Sequence, residues 1–191
     1  MIPAQAVVQG LYGAYRLARL DPRGMSYLDR SIEGFWRSFF AAVVAAPAFV
    51  LLVVLETIAA STPEAETDWA RVVLVEGIAY AIGWVAFPLA MFYVAEAIGR
   101  GGAYVGFVVA YNWAAVLQTA AYLLVAALTS GGALPPPLGD LLSLALILAI
   151  LAYQWFIART ALNLGAHGAI GIVALDVVIS LIITGVARAM V

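Results

Sequence analysis

A hydrocarbon core about 30 Å thick is crossed by about 20 consecutive apolar residues wound into a helix. Five stretches of this chain reach that length: Phe35 to Ala60, Trp69 to Ile98, Tyr104 to Thr129, Leu138 to Thr160, and Gly165 to Met190. Lipid offers no hydrogen-bond partner to the backbone, so each stretch must be a helix or part of a closed barrel. The runs are continuous rather than alternating, which argues against the barrel. The expected fold is therefore all-α, a polytopic membrane helix bundle. Five transmembrane helices occupy residues 35–191, and residues 1–34 form an N-terminal segment with an amphipathic, interfacial helix.

Composition agrees. Of 191 residues, 65% are hydrophobic and only 10% charged, and the mean hydropathy is +1.04. Soluble domains carry about 25% charged residues. The net charge of −2 gives no reason to expect nucleic acid as a partner. With no Cys and one His, disulfides, thiolate chemistry and clustered His or Cys metal sites are not expected. No cofactor is expected either.

Turn residues separate the runs. "STPEAETD" is an acidic loop, "GRGGAY" a tight glycine turn, and "TSGGALPPPLGD" a longer loop stiffened by Pro135, Pro136 and Pro137. "LNLG" is short enough to make the last two helices antiparallel neighbours. Pro47 and Pro88 lie inside spans, where proline is commoner than in soluble helices. Ala79 with Gly83, and Gly165 with Ala169, are spaced for close helix packing.

Ahead of the first span, residues 4–20 read as an amphipathic helix. Ala4, Val7, Leu11, Ala14, Tyr15 and Ala18 share one face, with Gln5, Gln9 and Arg16 opposite. The segment has no basic start and a broken apolar run, so it is not expected to be a cleaved signal peptide. "DPRG" forces a turn, and the spacing of Ser26 and Asp29 suggests that a second short helix begins there. The simplest placement is on the membrane surface. The alternative is a cap over the mouth of the bundle.

Arginine bias sets the expected orientation. Arg16, Arg19, Arg23, Arg30 and Arg37 precede or open the first span, and Arg100 and Arg159 fall on the same side. Arg71, Arg188 and the acidic loop fall on the other. This places the N-terminus in the cytoplasm and the C-terminus outside. A composition rich in Ala and Val, with Arg as its sole long basic residue, suggests a GC-rich bacterium and hence its inner membrane.

Polar residues within the spans are the candidate site. Asp176 lies near the middle of the fifth run. Stepping by four from Gly168 gives Ile172, Asp176, Ser180, Thr184 and Arg188, a stripe expected to face protein or water. A carboxylate there costs about 2.5–3.5 kcal/mol on the insertion scale, so it needs a partner or a proton. The third run supplies Tyr111, Gln118 and Tyr122 on one face, with Asn112 beside it; the fourth supplies Gln154. Two readings follow. In one, these groups are glue between helices. In the other, Asp176 titrates and Asn112, Gln118 and Gln154 line a path. Peripheral candidates are Glu76, facing outward or toward Arg71, and His167 and Arg159 at the opposite side. No catalytic triad, phosphate loop or metal-ligand set is present, so no catalytic residue is assigned.

The layout resembles the Ypt-interacting protein family. The likeness rests on an N-terminal "DPRG", on "EGFWRSF" leading into the first span, and on five clustered spans with a short C-terminus. It implies a five-span membrane protein with a cytoplasmic N-terminal segment. The Rab-linked role of eukaryotic members is not carried over, because the N-terminal segment is shorter than theirs. The function expected is a membrane scaffold, or a protein that binds a partner, itself or lipid. The alternative is a proton-coupled transporter or permease-like protein using Asp176. Its partners would be the lipid bilayer and a second copy or another membrane protein.

Overall fold

A computed structural model describes residues 4–60 and 67–191. Seven α-helices follow one another: α1 (Ala4–Ala18), α2 (Ile32–Ser38), α3 (Phe40–Ala60), α4 (Trp69–Ala97), α5 (Tyr104–Ser130), α6 (Pro136–Ala161) and α7 (Ala166–Met190). No strand occurs among the described residues. Five segments are long and apolar enough to cross a membrane: Ile32–Ala60, which joins α2 to α3, then Trp69–Ala97, Gly101–Ser130, Pro136–Ala161 and Ala166–Met190. The chain is a multi-pass membrane protein. Most of the expected acidic loop, residues 61–66, lies outside the described residues. Its last residue, Asp68, caps α4 by accepting the Arg71 N–H at 3.1 Å.

The span with the lowest hydropathy sits at the centre. Its window averages 1.5, against 2.6 for the segment containing α3. α5 packs against α1, α2, α3, α4 and α6, and α7 packs against α4 and α6. A helix surrounded by protein can keep Asn112 and Gln118, whereas helices facing lipid carry apolar side chains outward. Val43, Leu51, Val73, Leu148 and Leu181 are all more than half exposed. Both α3 and α4 continue through their prolines. Gly99, at φ 69°, and Asn163, at φ 49°, end α4 and α6 in the left-handed conformation usual after a helix C-terminus.

The N-terminal segment departs from expectation in two ways. First, the second short helix begins at Ile32, capped by Ser31, rather than near Ser26. Asp21 and Pro22 instead start a 3-10 turn over Pro22–Tyr27, and the Ser26 hydroxyl turns back to the Arg23 carbonyl at 2.7 Å. Second, the inward face of α1 is only partly the expected one: Val7, Leu11 and Ala14 do pack into the core, joined by residues outside the expected set. Gly10, Gly13, Ala14 and Leu17 are buried, while Ala4, Tyr15 and Ala18 face outward. α1 rests on α5 and α6, and Tyr153 of α6 donates to the Ala14 carbonyl at 2.7 Å. α1 is therefore packed against the bundle through its buried face.

Two glycines make the docking possible. A Cβ on Gly10 would collide with the indole of Trp113. One on Gly13 would meet Leu28 at 2.8 Å and the Gly24 carbonyl at 3.0 Å. By contrast, Cβ atoms on Gly83 and Gly165 would meet nothing within 4 Å. Those two glycines, spaced in sequence for close helix contact, make none. Asp21, held by Arg16 and by the Arg23 N–H, has its carboxyl below the ordinary 3.8. Hydrogen bonds from Ser31 likewise lower that of Asp29.

Candidate functional site

Helix periodicity decides which residues reach Asp176. An α-helix turns about 100° per residue, so a step of four advances the face by about 40°. Over α7 the stripe of fours therefore winds away from any one neighbour. The buried positions are Ala169, Ile172, Asp176 and Ala187. Gly168, Thr184 and Arg188 are exposed, and so is Ser180. The expected stripe faces protein only near its middle.

Asp176 itself is 4% exposed. Tyr111 of α5 donates its hydroxyl to Asp176 Oδ1 at 2.8 Å. Two turns along α5 from Tyr111, Gln118 accepts from Gln154 of α6 at 3.4 Å, the long end of hydrogen bonding. Gln154 also lines the void beside the carboxylate, together with Phe87, Phe107, Ala158 and Ile172. That void measures about 10 Å³, no more than the smallest space a single water occupies. The ring of Tyr111 packs on Phe87 with centroids 4.7 Å apart. The carboxylate is thus joined to a phenol in a dry, mostly apolar seat.

Asn112 and Tyr122 do not belong to this group. Asn112 is fully buried one residue round the helix from Tyr111, and its amide donates to Ser38 at 2.9 Å. Ser38 in turn donates to the Phe35 carbonyl at 2.7 Å, just before the helix breaks at Phe39. The Asn112 carbonyl oxygen has no partner among the described residues. Tyr122 is 41% exposed, three turns from Tyr111 along α5.

The peripheral candidates scatter. His167 is exposed, and Arg159 lies over the Trp155 ring at 5.2 Å. Neither contributes to the Asp176 seat. Glu76 is half-buried and forms no ion pair with Arg71. Instead it lines a second, larger cavity of about 330 Å³ between α3, α4, α5 and α7. Tyr111, Ser180 and Thr184 line the same cavity. Sequence reasoning missed the aromatic residues that complete it, Phe49, Tyr80 and Trp84, because in a span such residues are indistinguishable from lipid-facing ones. Among the described residues no group of three or more His, Asp or Glu could hold a metal ion.

Comparison with known proteins gives no family: no family model, no curated protein and no solved structure matches this chain.

Proposed function

We propose that this chain is a membrane scaffold or binding protein rather than an enzyme, and that Asp176 serves helix packing. The observation that carries this reading is the dry seat of Asp176 against Tyr111, with about 10 Å³ beside it. Proton coupling needs water or a relay to the titrating group, and the space beside Asp176 is no larger than one water. The arginine distribution supports an N-terminus in the cytoplasm and a C-terminus outside, in a bacterial inner membrane. The five-span layout supports kinship with the Ypt-interacting proteins. A largely apolar outer surface supports contact with lipid, a second copy or another membrane protein.

A second reading, proton-coupled transport through Asp176, draws on one observation. Tyr111 lines both the small void and the larger cavity, so its side chain is shared between Asp176 and an open space. One experiment separates the two. The full chain is reconstituted in liposomes loaded with a pH-sensitive dye, and a proton gradient is imposed. The scaffold reading expects no dissipation beyond that of protein-free liposomes, with Asp176→Asn identical. Dissipation that Asp176→Asn abolishes overturns it in favour of transport.

A further inference from the structure

Hydroxyls buried in a membrane helix usually bond to the carbonyl one turn earlier. Thr119 does so at 2.9 Å, Thr129 at 3.0 Å and Ser143 at 2.9 Å. Ser180 and Thr184 do not, and both line the cavity of about 330 Å³. Glu76 faces the same space and makes no hydrogen bond or ion pair with any described residue. Glu56, of like charge, and Arg188 act on it through space, and Arg188 forms no ion pair with it. Three polar groups with no hydrogen-bond partner among the described residues therefore line one space.

The remaining wall is aromatic. Phe49 and Tyr80 stack with centroids 4.3 Å apart, and Trp84 stands edge-on to Tyr80 at 5.9 Å. Tyr80 is fixed by donating its hydroxyl to the Ala42 carbonyl at 2.6 Å. An acid beside aromatic rings suits one chemistry above others. The carboxylate supplies the counter-charge, and ring faces and edges accommodate the cation's alkyl groups while ring quadrupoles attract its charge. Hydroxyl oxygens accept hydrogen bonds from an N–H. The volume lies at the lower end of small-molecule sites, which run about 300–1,000 Å³. Gly83 keeps the space clear: a Cβ there would meet nothing within 4 Å.

We propose that the cavity between α3, α4, α5 and α7 binds an organic ammonium group. Glu76 is its counter-charge, Phe49, Tyr80 and Trp84 form its aromatic wall, and Ser180 and Thr184 are its hydrogen-bond acceptors. The ammonium belongs either to the headgroup of an aminophospholipid or to a free organic amine. The site does not depend on the packing role of Asp176, which lies in a separate void, so either idea can fail alone.

The test uses the full chain in nanodiscs of phosphatidylglycerol, a lipid without an ammonium group. Phenethylamine and benzyltrimethylammonium are titrated calorimetrically. In parallel, the protein is extracted from vesicles of equal phosphatidylglycerol and phosphatidylethanolamine, and retained lipid is read by native mass spectrometry. We expect saturable binding of at least one probe, or selective retention of phosphatidylethanolamine. Glu76→Gln weakens that binding about tenfold or more, and Gly83→Leu, which fills the space, abolishes it. Gly83→Ala gives an intermediate loss and serves where the larger residue impairs folding. Glu96→Gln, at the other end of α4, leaves binding unchanged. Amine binding without lipid retention assigns the site to a free amine; retention without amine binding assigns it to the headgroup. Absence of both, or binding that Glu76→Gln and Gly83→Ala leave at the level of the unaltered chain, overturns the proposal.

Discussion

Tyr111→Phe removes one hydroxyl and leaves the ring against Phe87 in place. Its cost follows from the surroundings of Asp176. Hydrogen bonds between membrane helices average about 0.6 kcal/mol and reach about 1.7, because helices separated in lipid find other partners. A buried acceptor left unsatisfied costs about 1–3 kcal/mol. The second effect should dominate here, since a void of about 10 Å³ gives little room for a replacement water. The expected loss is about 1–2 kcal/mol. At about 2–4 °C per kcal/mol for a chain of this size, the midpoint of thermal unfolding falls by about 2–8 °C. Asp176→Asn keeps a carbonyl oxygen that can accept from Tyr111, so it should cost less. The assay is therefore a double-mutant cycle with a change that does remove the acceptor, unfolding Tyr111→Phe, Asp176→Leu and the double variant in one detergent. Coupling of about 0.5 kcal/mol or more is expected, because the partners touch. If the two single effects simply add, the phenol–carboxylate bond holds nothing together and the packing role of Asp176 is wrong.

Three further outcomes are expected in the N-terminal segment. Gly10→Val puts two methyl-bearing branches into the Trp113 ring, so α1 should lift from α5; limited proteolysis within residues 4–30 would then speed up while the five spans stay protected. Leu20 ends α1 at φ 57° and is 57% exposed. Leu20→Gly relieves a left-handed conformation costing about 1–2 kcal/mol against a glycine entropy cost of about 0.5–1 kcal/mol, so hydrogen exchange in α1 should slow slightly. Asp21 and Asp29 have folded carboxyls below their ordinary 3.8. Their contribution is present above that value and is lost as pH falls through the lower folded one. Protection of Pro22–Tyr27 against hydrogen exchange should therefore drop below about pH 4, and Asp21→Asn should remove most of that dependence.

Sequence alone determined the five spans, because hydrocarbon thickness and backbone satisfaction leave a long apolar run no other form. It also singled out the third span as the most polar, and that span is the hub of the bundle. Tyr111 as a partner of Asp176 was legible from helical spacing on the polar face. What periodicity could not supply was rotation about each helix axis. Asn112, one residue and about 100° from Tyr111, goes to Ser38 instead, and stepping by fours carried Thr184 and Arg188 off the buried face. Glycine misled in both directions. It adds no side chain to an amphipathic pattern, so the expected face of α1 took in Tyr15 and Ala18, which face outward, and left out Gly10 and Gly13, which are buried beside Ala14. In the spans its spacing promised close packing, yet Gly83 borders an open cavity. That cavity was invisible to sequence for the same reason: Phe49, Glu76, Tyr111 and Ser180 sit far apart along the chain, and only the packing of α3, α4, α5 and α7 gathers them around one space.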